Sequence, residues 1–144
     1  MQKDFYKYQA QTSPHPLAIE ISHAKGSYIY ATSGKKYLDF VAGVSANSLG
    51  HNHPKVSQAI KDQIDKHAHV MVYGEFIQKP QVELCKLLAS TLPKKLSSVY
   101  ITNSGTEATE GALKLAKRVT GRSEIIAAKN SYHGNTMGAM SVSG

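Results

Sequence analysis

Short apolar runs alternate with turn residues in the first part of the chain, after a polar leader. Residues 1–16 are polar and end in Ser13-Pro14-His15-Pro16, which predicts an arm or extended leader, because closely spaced prolines disfavour helix and sheet. Glycine-containing turns then separate three β-like runs, at 18–21, 28–31 and 36–41. This pattern predicts an antiparallel meander of three strands.

Two helical patterns follow a loop, 43–54, that carries glycine and histidine. Pro54 suits a first helical position, and Val56, Ile60 and Ile64 recur at every fourth residue, which predicts an amphipathic helix. A second helix is predicted over 80–92, where valine and leucine recur before a proline ends the run.

The following part of the chain alternates between strand-like and helix-like segments. The runs 97–102 and 124–128 predict strands, and the segment 104–120 between them predicts a helix that Gly121 stops. Strand–helix–strand order at this spacing favours an α/β sheet with crossover helices.

The last residues predict a loop and the start of another strand. A glycine-containing loop or short helix at 131–138 leads to a strand-like run at 140–143, and Gly144 follows directly. No closing helix or polar tail comes after this run. We therefore expect the sequence to be the first part of a larger domain, cut within its sheet.

Composition narrows the class of protein without indicating a function. The chain has 144 residues, of which 41% are hydrophobic, and no apolar run approaches the roughly 20 residues that span a bilayer. The first residues lack the apolar segment of a secretory signal, and one cysteine, Cys85, builds no disulfide framework. The sequence therefore predicts a cytoplasmic protein without membrane association.

The formal charge of +7 does not indicate a nucleic-acid partner. Basic residues are spread evenly over both halves, and the adjacent pairs Lys35-Lys36 and Lys94-Lys95 lie in turn-like contexts. Because non-specific binding to nucleic acid needs a basic face, we predict no such partner. A phosphorylated small ligand needs only one local site.

The turn at 103–107 carries the first chemical signal. It joins a predicted strand to a predicted helix, whose N-terminus leaves backbone N–H groups unpaired and carries a partial positive charge. Gly105 admits an anion close to the backbone, and Ser104 and Thr106 add hydroxyl donors, so the turn suits a phosphate. Ser104 and Glu107 also match a capping box, which makes a plain helix cap the alternative; the two uses are compatible.

A second chemical signal lies in the loop 131–136. This loop is expected at the same sheet edge as the turn, because ligands of open α/β sheets bind beyond the carboxyl ends of the strands. Tyr132 can stack there on a flat ring, or it can be a core aromatic with a hydroxyl partner.

Two His-x-His pairs, His51/His53 and His67/His69, are the candidate metal ligands of the chain. No cysteine, aspartate or glutamate cluster stands beside either pair, and residues two apart diverge on a helix. We therefore predict no metal site, and we expect these histidines to pair with backbone groups or to frame a loop.

Four motifs occur in order along the chain: Tyr37-Leu38-Asp39-Phe40 with Gly43, then Gly50-His51-Asn52-His53-Pro54, then Asn103-Ser104-Gly105-Thr106-Glu107-Ala108, then Tyr132-His133-Gly134. Together they resemble the class III pyridoxal-phosphate aminotransferases, which include the ornithine, acetylornithine, 4-aminobutyrate and diaminopelargonate enzymes. The resemblance runs from about residue 28 to 144. It implies an α/β fold type I transferase and a homodimer with the site at the subunit interface.

The resemblance also implies which residues hold pyridoxal 5'-phosphate. Ser104, Gly105 and Thr106 match the family's phosphate cup. Tyr132 matches the aromatic residue that stacks on the pyridine ring, and the residues that shape its loop are His133 and Gly134.

Three further positions match the substrate side of the family's site. Val44 and Ser45 match a loop near the substrate entrance. Asn135 replaces the arginine that ornithine-like and 4-aminobutyrate-like members usually carry, and a neutral amide makes no bidentate clamp on a carboxylate. The resemblance therefore favours another donor, and the residues after Gly134 look closer to the diaminopelargonate type.

The family's Schiff-base lysine and the aspartate that holds the pyridinium nitrogen have no matching positions among these residues. No lysine here is therefore predicted to be catalytic, and the fragment alone is expected to be inactive. The predicted organisation is an arm and meander over 1–48 and the first part of the large cofactor domain over 49–144.

The predicted reaction moves an amino group from an amine or amino acid, often a terminal amine, to a 2-oxo acid. Two alternatives stay open at this stage. One is an aminomutase or decarboxylase of the same fold, and the other is a non-catalytic phosphate- or nucleotide-binding module.

Overall fold

The computed structural model describes residues 1–71 and 74–144, and the chain divides between residues 72 and 73 into two compact units. The predicted domain boundary after residue 48 stays a prediction. The described elements, in chain order, are α1 (Gln2–Tyr8), β1 (Ile21–Lys25), β2 (Tyr28–Ala31), β3 (Lys36–Leu38), α2 (Pro54–Lys66), α3 (Lys79–Ser90), α4 (Gly105–Thr120) and α5 (Met137–Ser141).

The three strands form the predicted antiparallel meander, in the order β1-β2-β3. The prediction that the first strand covers 18–21 was wrong, because the turn sets its position. Lys25 pairs with Tyr28 across a two-residue turn whose Gly26 has a φ of 58°. Pairing therefore extends backwards from residue 25 and ends at Ile21, which pairs with Ala31.

The third strand is shorter than the predicted run 36–41, because Asp39 turns the chain. Its Oδ1 accepts hydrogen bonds from the backbone N–H groups of Val41 (3.0 Å) and Ala42 (2.9 Å). An aspartate that binds backbone donors two and three residues ahead competes with strand pairing. The strand consequently ends at Leu38.

The predicted extended leader over 1–16 was wrong in its first part, which forms the helix α1. The prolines at 14 and 16 restrict only their own neighbourhood, so they leave the first residues free to adopt helical dihedrals. Asp4 lies in the first turn and Lys7 in the last, which matches the polarity of the helix.

The predicted helices are confirmed. Helix α2 begins at Pro54 and α3 covers nearly the predicted range, with a proline in its first turn. Helix α4 begins after Ser104 and ends at Gly121, which adopts a φ of 68° and supplies the left-handed C-cap. The apolar residues of α2 are about half exposed, with Ile60 at 55% and Ile64 at 59%.

The predicted strands over 97–102 and 124–128 were wrong, since no ladder forms there within the described residues. A β-strand needs a partner for its backbone groups, and the described ranges supply none to either run. The predicted strand over 140–143 was also wrong, because helix α5 occupies Met137–Ser141. This segment meets a carboxylate of α4 that accepts from its first N–H groups, as described below.

Among the described residues, buried side chains or backbone occur in only two regions, one in each compact unit. Ala31 is buried in the sheet at 7% exposure. Gly134 and Ala139 are buried in the second unit, where α5 packs on α4. Each unit is therefore ordered around hydrogen-bonded turns more than around large apolar side chains.

Candidate functional site

The turn at 103–107 is a capped helix start. Ser104 has extended backbone, and its Oγ accepts a hydrogen bond from the N–H of Glu107 at 3.2 Å. The Glu107 carboxylate reaches back to the N–H of Asn103, at 2.7 Å, one residue earlier than in a standard capping box. The capping alternative is therefore confirmed as one use of the turn.

The cap does not use every backbone N–H donor in the first turn of α4. The backbone N–H groups of Gly105 and Thr106 have no acceptor within the described residues, and both point from the first turn of a 16-residue helix. A Cβ built on Gly105 would have no heavy atom within 4 Å, so the space in front of this residue is open. Unpaired donors, hydroxyl groups and a helix N-terminus together form a donor set that fits a phosphate monoester.

The loop 131–136 lies directly against this turn. The predicted neighbourhood is therefore observed, although the strands whose sheet edge was to create it do not form among the described residues. The Thr106 hydroxyl donates to the backbone carbonyl of His133 at 3.4 Å. Gly134 is buried, and its φ of 123° suits glycine. A Cβ on Gly134 would stand 1.8 Å from Thr106 Oγ1, so only a glycine permits this approach.

Tyr132 and Asn135 occupy the exposed side of the same loop. The Tyr132 side chain is 76% exposed, so it is not the core aromatic that the alternative interpretation required. Its hydroxyl donates to Asn135 Oδ1 at 3.4 Å. An exposed ring on a loop that contacts a phosphate-type donor set suits a planar heterocycle that carries a phosphate.

Glu110 connects the loop to α4 one turn beyond Thr106. Its Oε1 accepts from the Thr136 hydroxyl and from the backbone N–H groups of Gly138 (2.9 Å) and Ala139 (3.2 Å). The Thr136 hydrogen bond lowers the pKa of Glu110, and the two backbone donors and the nearby Lys114 act in the same direction against the effect of burial. The carboxylate thus replaces an N-cap side chain for α5.

The predicted substrate-entrance residues lie in the other compact unit, in the loop between β3 and α2. Val44 and Ser45 both adopt left-handed backbone, with φ of 55° and 68°. This conformation is a strained one for a β-branched residue such as valine, so the surrounding loop must hold it. Val44 is 85% exposed.

A carboxylate–histidine pair closes this loop. The Asp39 Oδ2 lies 2.6 Å from His51 Nε2, and both side chains are largely covered, at 8% and 18% exposure. Because a carboxylate only accepts, Nε2 carries the hydrogen. The hydrogen bond from His51 lowers the pKa of Asp39, and the Ala42 and Val41 N–H groups reinforce this.

The backbone of His51 adds two further bonds to the closure. Its N–H donates to the Gly26 carbonyl at 2.7 Å, and its carbonyl accepts from the Gly26 N–H at 2.9 Å. The prediction that this histidine frames the loop is confirmed. Among the described residues, no group of three or more histidine, cysteine, aspartate or glutamate side chains could hold a metal ion.

Sequence reasoning missed the roles of Glu110 and Asp39. The signal for Asp39 was available, because an aspartate at the end of a strand commonly binds the N–H groups two and three residues ahead. The signal for Glu110 was weaker. It lies four residues after Thr106 and therefore on the same face of the helix, but its partners are 26–29 residues distant in sequence.

Comparison with known proteins identifies the relatives of this chain. The family model for aminotransferase class-III matches residues 8–144. An acetylornithine aminotransferase from Methanothermobacter thermautotrophicus is 45% identical over 126 residues, which are 88% of this chain and 31% of that protein. The chain therefore spans about a third of the length of this curated relative.

Solved structures give the same result for the fold. Adenosylmethionine-8-amino-7-oxononanoate aminotransferase from Methanocaldococcus jannaschii superposes with a TM-score of 0.88 at 33% identity, over 99% of this chain and 35% of that one. Taurine:2-oxoglutarate aminotransferase from Bifidobacterium kashiwanohense, solved in complex with PLP and glutamate, has a TM-score of 0.85 at 30% identity, over 99% of this chain and 32% of its own. The α/β fold type I class is confirmed.

The part of the chain that the structure describes contains no helix of the length and apolarity needed to cross a membrane.

Proposed function

Because this chain belongs to the class-III aminotransferase family, we propose that the full-length protein is an aminotransferase that uses pyridoxal 5'-phosphate. It would move an amino group from an amine or amino acid, often at a terminal carbon, to a 2-oxo acid. The single observation that carries the proposal is the joining of the turn 104–106 to the loop 132–134 through Thr106. This contact brings a phosphate-type donor set and an exposed aromatic ring together.

The phosphate would bind at the start of α4. The proposed donors are the Gly105 and Thr106 N–H groups and the Ser104 hydroxyl. The Thr106 hydroxyl would join them by turning its one hydrogen from the His133 carbonyl, 3.4 Å away, to the phosphate. The Ser104 oxygen is already an acceptor for Glu107, which leaves its hydrogen to donate outwards. A dianionic phosphate gains here from charge-assisted hydrogen bonds and from the partial positive charge of the helix end.

The aromatic ring of the cofactor would lie on Tyr132. His133 and Gly134 set the height of this loop, since the His133 carbonyl lies 3.4 Å from the Thr106 hydroxyl oxygen and Gly134 approaches Thr106 without a side chain. Stacking on an aromatic face contributes about 1 kcal/mol beyond burial of area. Tyr132 therefore orients the ring, while the turn 104–106 supplies most of the polar binding.

The bound cofactor would supply the electron sink on which transamination depends. The residues of this chain bind and orient it, and the residue that forms the covalent link is not proposed among them. Matching the family's pattern, that lysine is expected in the full-length protein beyond the motifs found here.

Val44, Ser45 and Asn135 are the proposed substrate-binding residues. The strained backbone of Val44 and Ser45 presents the exposed valine side chain from a loop that Asp39 and His51 hold closed. Asn135 offers a neutral amide, which binds a polar group without the strong carboxylate preference of an arginine. The proposed amino donors are therefore terminal amines whose recognition does not depend on a charged clamp at this position.

The assembly and location are proposals as well. The family's dimeric arrangement, with the site at the subunit interface, supports a homodimer. The lone cysteine, Cys85, supports a reducing compartment such as the cytoplasm. The proposed partners are the small-molecule donor and acceptor, with no role for nucleic acid or a membrane.

An absorbance scan of the full-length protein tests the proposed function. After reconstitution with pyridoxal 5'-phosphate, we expect a visible absorption band that borohydride abolishes, and that changes when an amino donor is added. No band after reconstitution would overturn the proposal. A donor screen extends the test, because a strong preference for ornithine or 4-aminobutyrate would contradict the role assigned to Asn135.

A further inference from the structure

One face of α4 carries two contacts to the loop that follows residue 131. Thr106 and Glu110 are four residues apart and therefore share this face, which we call the Thr106/Glu110 face. Gly134 and Gly138 are also four residues apart, and each meets one member of the face. Added Cβ atoms would stand 1.8 Å from Thr106 Oγ1 and 2.2 Å from Glu110 Oε2.

Of the two contacts, the one made by Glu110 is the stronger. The Thr106 hydroxyl reaches the His133 carbonyl at 3.4 Å, which is a long hydrogen bond. Glu110 accepts from three donors, of which the Gly138 and Ala139 N–H groups lie at 2.9 and 3.2 Å. Hydrogen bonds to a charged group are the stronger kind, so Glu110 contributes more to this attachment than Thr106.

We propose that Glu110 is a positioning residue that holds the ring-stacking loop, 132–134, in place against the phosphate-binding turn. It touches neither of the groups that would contact the cofactor, and it acts through Thr136 and the first turn of α5. This inference rests on the proposed function, because it assigns a role toward pyridoxal 5'-phosphate.

The contacts that close the loop from its other end support this role. The His133 N–H donates to Ser143 Oγ at 3.0 Å, and that hydroxyl donates to the Ala139 carbonyl at 2.9 Å. The loop is thus tied to α5, and α5 is tied to α4 through Glu110. If Glu110 no longer accepted its three hydrogen bonds, the loop and α5 would detach from α4 together, and the ring of Tyr132 would move with them.

Substitution of Glu110 in the full-length protein tests the proposal. We expect Glu110→Ala to weaken the affinity for pyridoxal 5'-phosphate about tenfold, and Glu110→Gln about threefold, since the amide oxygen still accepts. Glu83→Gln is the matched control, because it removes the same charge from an exposed pair with Lys79 on α3. The control should bind as the wild type does.

A double-mutant cycle separates positioning from general stability. In the Tyr132→Ala background the ring is gone, so Glu110→Ala should change the affinity by less than about twofold. An equal, tenfold loss in both backgrounds would overturn the proposal. So would a Glu110→Ala protein that melts at a lower temperature but binds the cofactor as tightly as the wild type.

Amide hydrogen exchange on the cofactor-free protein tests the attachment without any cofactor. Glu110→Gln should speed exchange at Gly138 and Ala139 and across 132–134, while Glu83→Gln should not. Unchanged exchange would overturn the positioning role even if cofactor binding is confirmed. A wild-type protein that exchanges as expected but binds no pyridoxal 5'-phosphate would overturn the proposed function instead.

Discussion

Asp39 and Glu110 show the same chemistry in the two compact units over different distances along the chain. Each carboxylate accepts from two backbone N–H groups and from one side chain, His51 for Asp39 and Thr136 for Glu110. The partners of Asp39 are 2, 3 and 12 residues away, whereas those of Glu110 are 26–29 residues away.

The two loops depend on different contacts for their conformation. The loop that follows Asp39 is closed within itself, and it holds the strained backbone at Val44 and Ser45. The loop 131–136 is held by another element, α4, and within it the backbone has a positive φ only at Gly134, where glycine tolerates it. The first region is therefore expected to fail locally when its carboxylate is lost, and the second is expected to separate from α4.

The largest effect on the unfolding free energy is expected at Gly134, where the contact with Thr106 leaves no space for a side chain. Gly134→Ala places a Cβ 1.8 Å from Thr106 Oγ1 and adds strain at a φ of 123°, so we expect a loss of about 3 kcal/mol in unfolding free energy. Urea denaturation of the full-length protein measures it. Gly26→Ala is the control, because it has a φ of 58° and no neighbour within 4 Å, and about 1 kcal/mol is expected. Equal losses would contradict the close approach.

The next effect separates the two carboxylates by function. Asp39→Asn replaces the oxygen that accepts from His51 with an amide NH2 group, while the remaining oxygen can still accept from the Val41 and Ala42 N–H groups. Because this weakens the closure of the loop proposed to face the substrate, we expect KM for the amino donor to rise about tenfold with unchanged affinity for pyridoxal 5'-phosphate. Glu110→Gln should instead weaken the affinity for pyridoxal 5'-phosphate and leave KM for the amino donor unchanged. Steady-state kinetics and a cofactor titration of both variants provide the measurement, and the same pattern in both would remove the distinction between the regions.

A smaller effect concerns the helix start alone. Ser104→Ala removes the acceptor for the Glu107 N–H, and loss of an N-cap costs about 1 kcal/mol of unfolding free energy. Ser90→Ala is the matched control, since its hydroxyl donates to the Leu87 carbonyl within α3, where little stability is expected to depend on it. Chemical denaturation of both variants compares them, and a larger loss for Ser90→Ala would contradict the capping role.

The smallest effect is a shared dependence on pH. The folded state lowers the pKa of Asp39, mainly through the His51 hydrogen bond, and that of Glu110, mainly through the Thr136 hydroxyl. The stability from a carboxyl with a lowered pKa is complete above its ordinary value, about 4, and is lost as the pH falls through the folded value. Asp39→Asn and Glu110→Gln should therefore differ from the wild type most at neutral pH and least in acid. Chemical denaturation at several pH values measures this. A difference in unfolding free energy between variant and wild type that stays constant from pH 7 to acid would contradict it.

The same comparison shows how far the sequence alone could lead. Local signals were sufficient for Pro54 at the start of α2, for Ser104 and Gly121 at the ends of α4, and for the meander with its turn at Gly26. Each of these depends on residues within a few positions of one another. The family resemblance placed Thr106 and Gly134 in one site, and the structure brings them into contact.

The failures in the second compact unit have a common physical reason, which is that the pairing of a segment is not encoded in the segment itself. The runs 97–102 and 124–128 have the composition of strands but no ladder among the described residues. The run 140–143 looks like a strand by alternation, yet the distant Glu110 carboxylate satisfies the N–H groups of Gly138 and Ala139 and favours a helix start. Periodicity describes a segment, whereas these outcomes depend on what the segment meets.

The most direct test of the central claim compares two ligands on one variant of the full-length protein. Pyridoxal 5'-phosphate and pyridoxal differ only in the phosphate, so the ratio of their affinities measures how much the phosphate contributes to binding at the turn 104–106. Thr106→Ala should weaken binding of the phosphorylated form by about 1–3 kcal/mol and weaken pyridoxal much less, since the hydrogen bond to the His133 carbonyl that it also removes is long, at 3.4 Å. Thr109→Ala should preserve the ratio, because among the described residues the Thr109 hydroxyl bonds only to the Gly105 carbonyl. An equal loss for both ligands in Thr106→Ala would contradict a phosphate site at this turn.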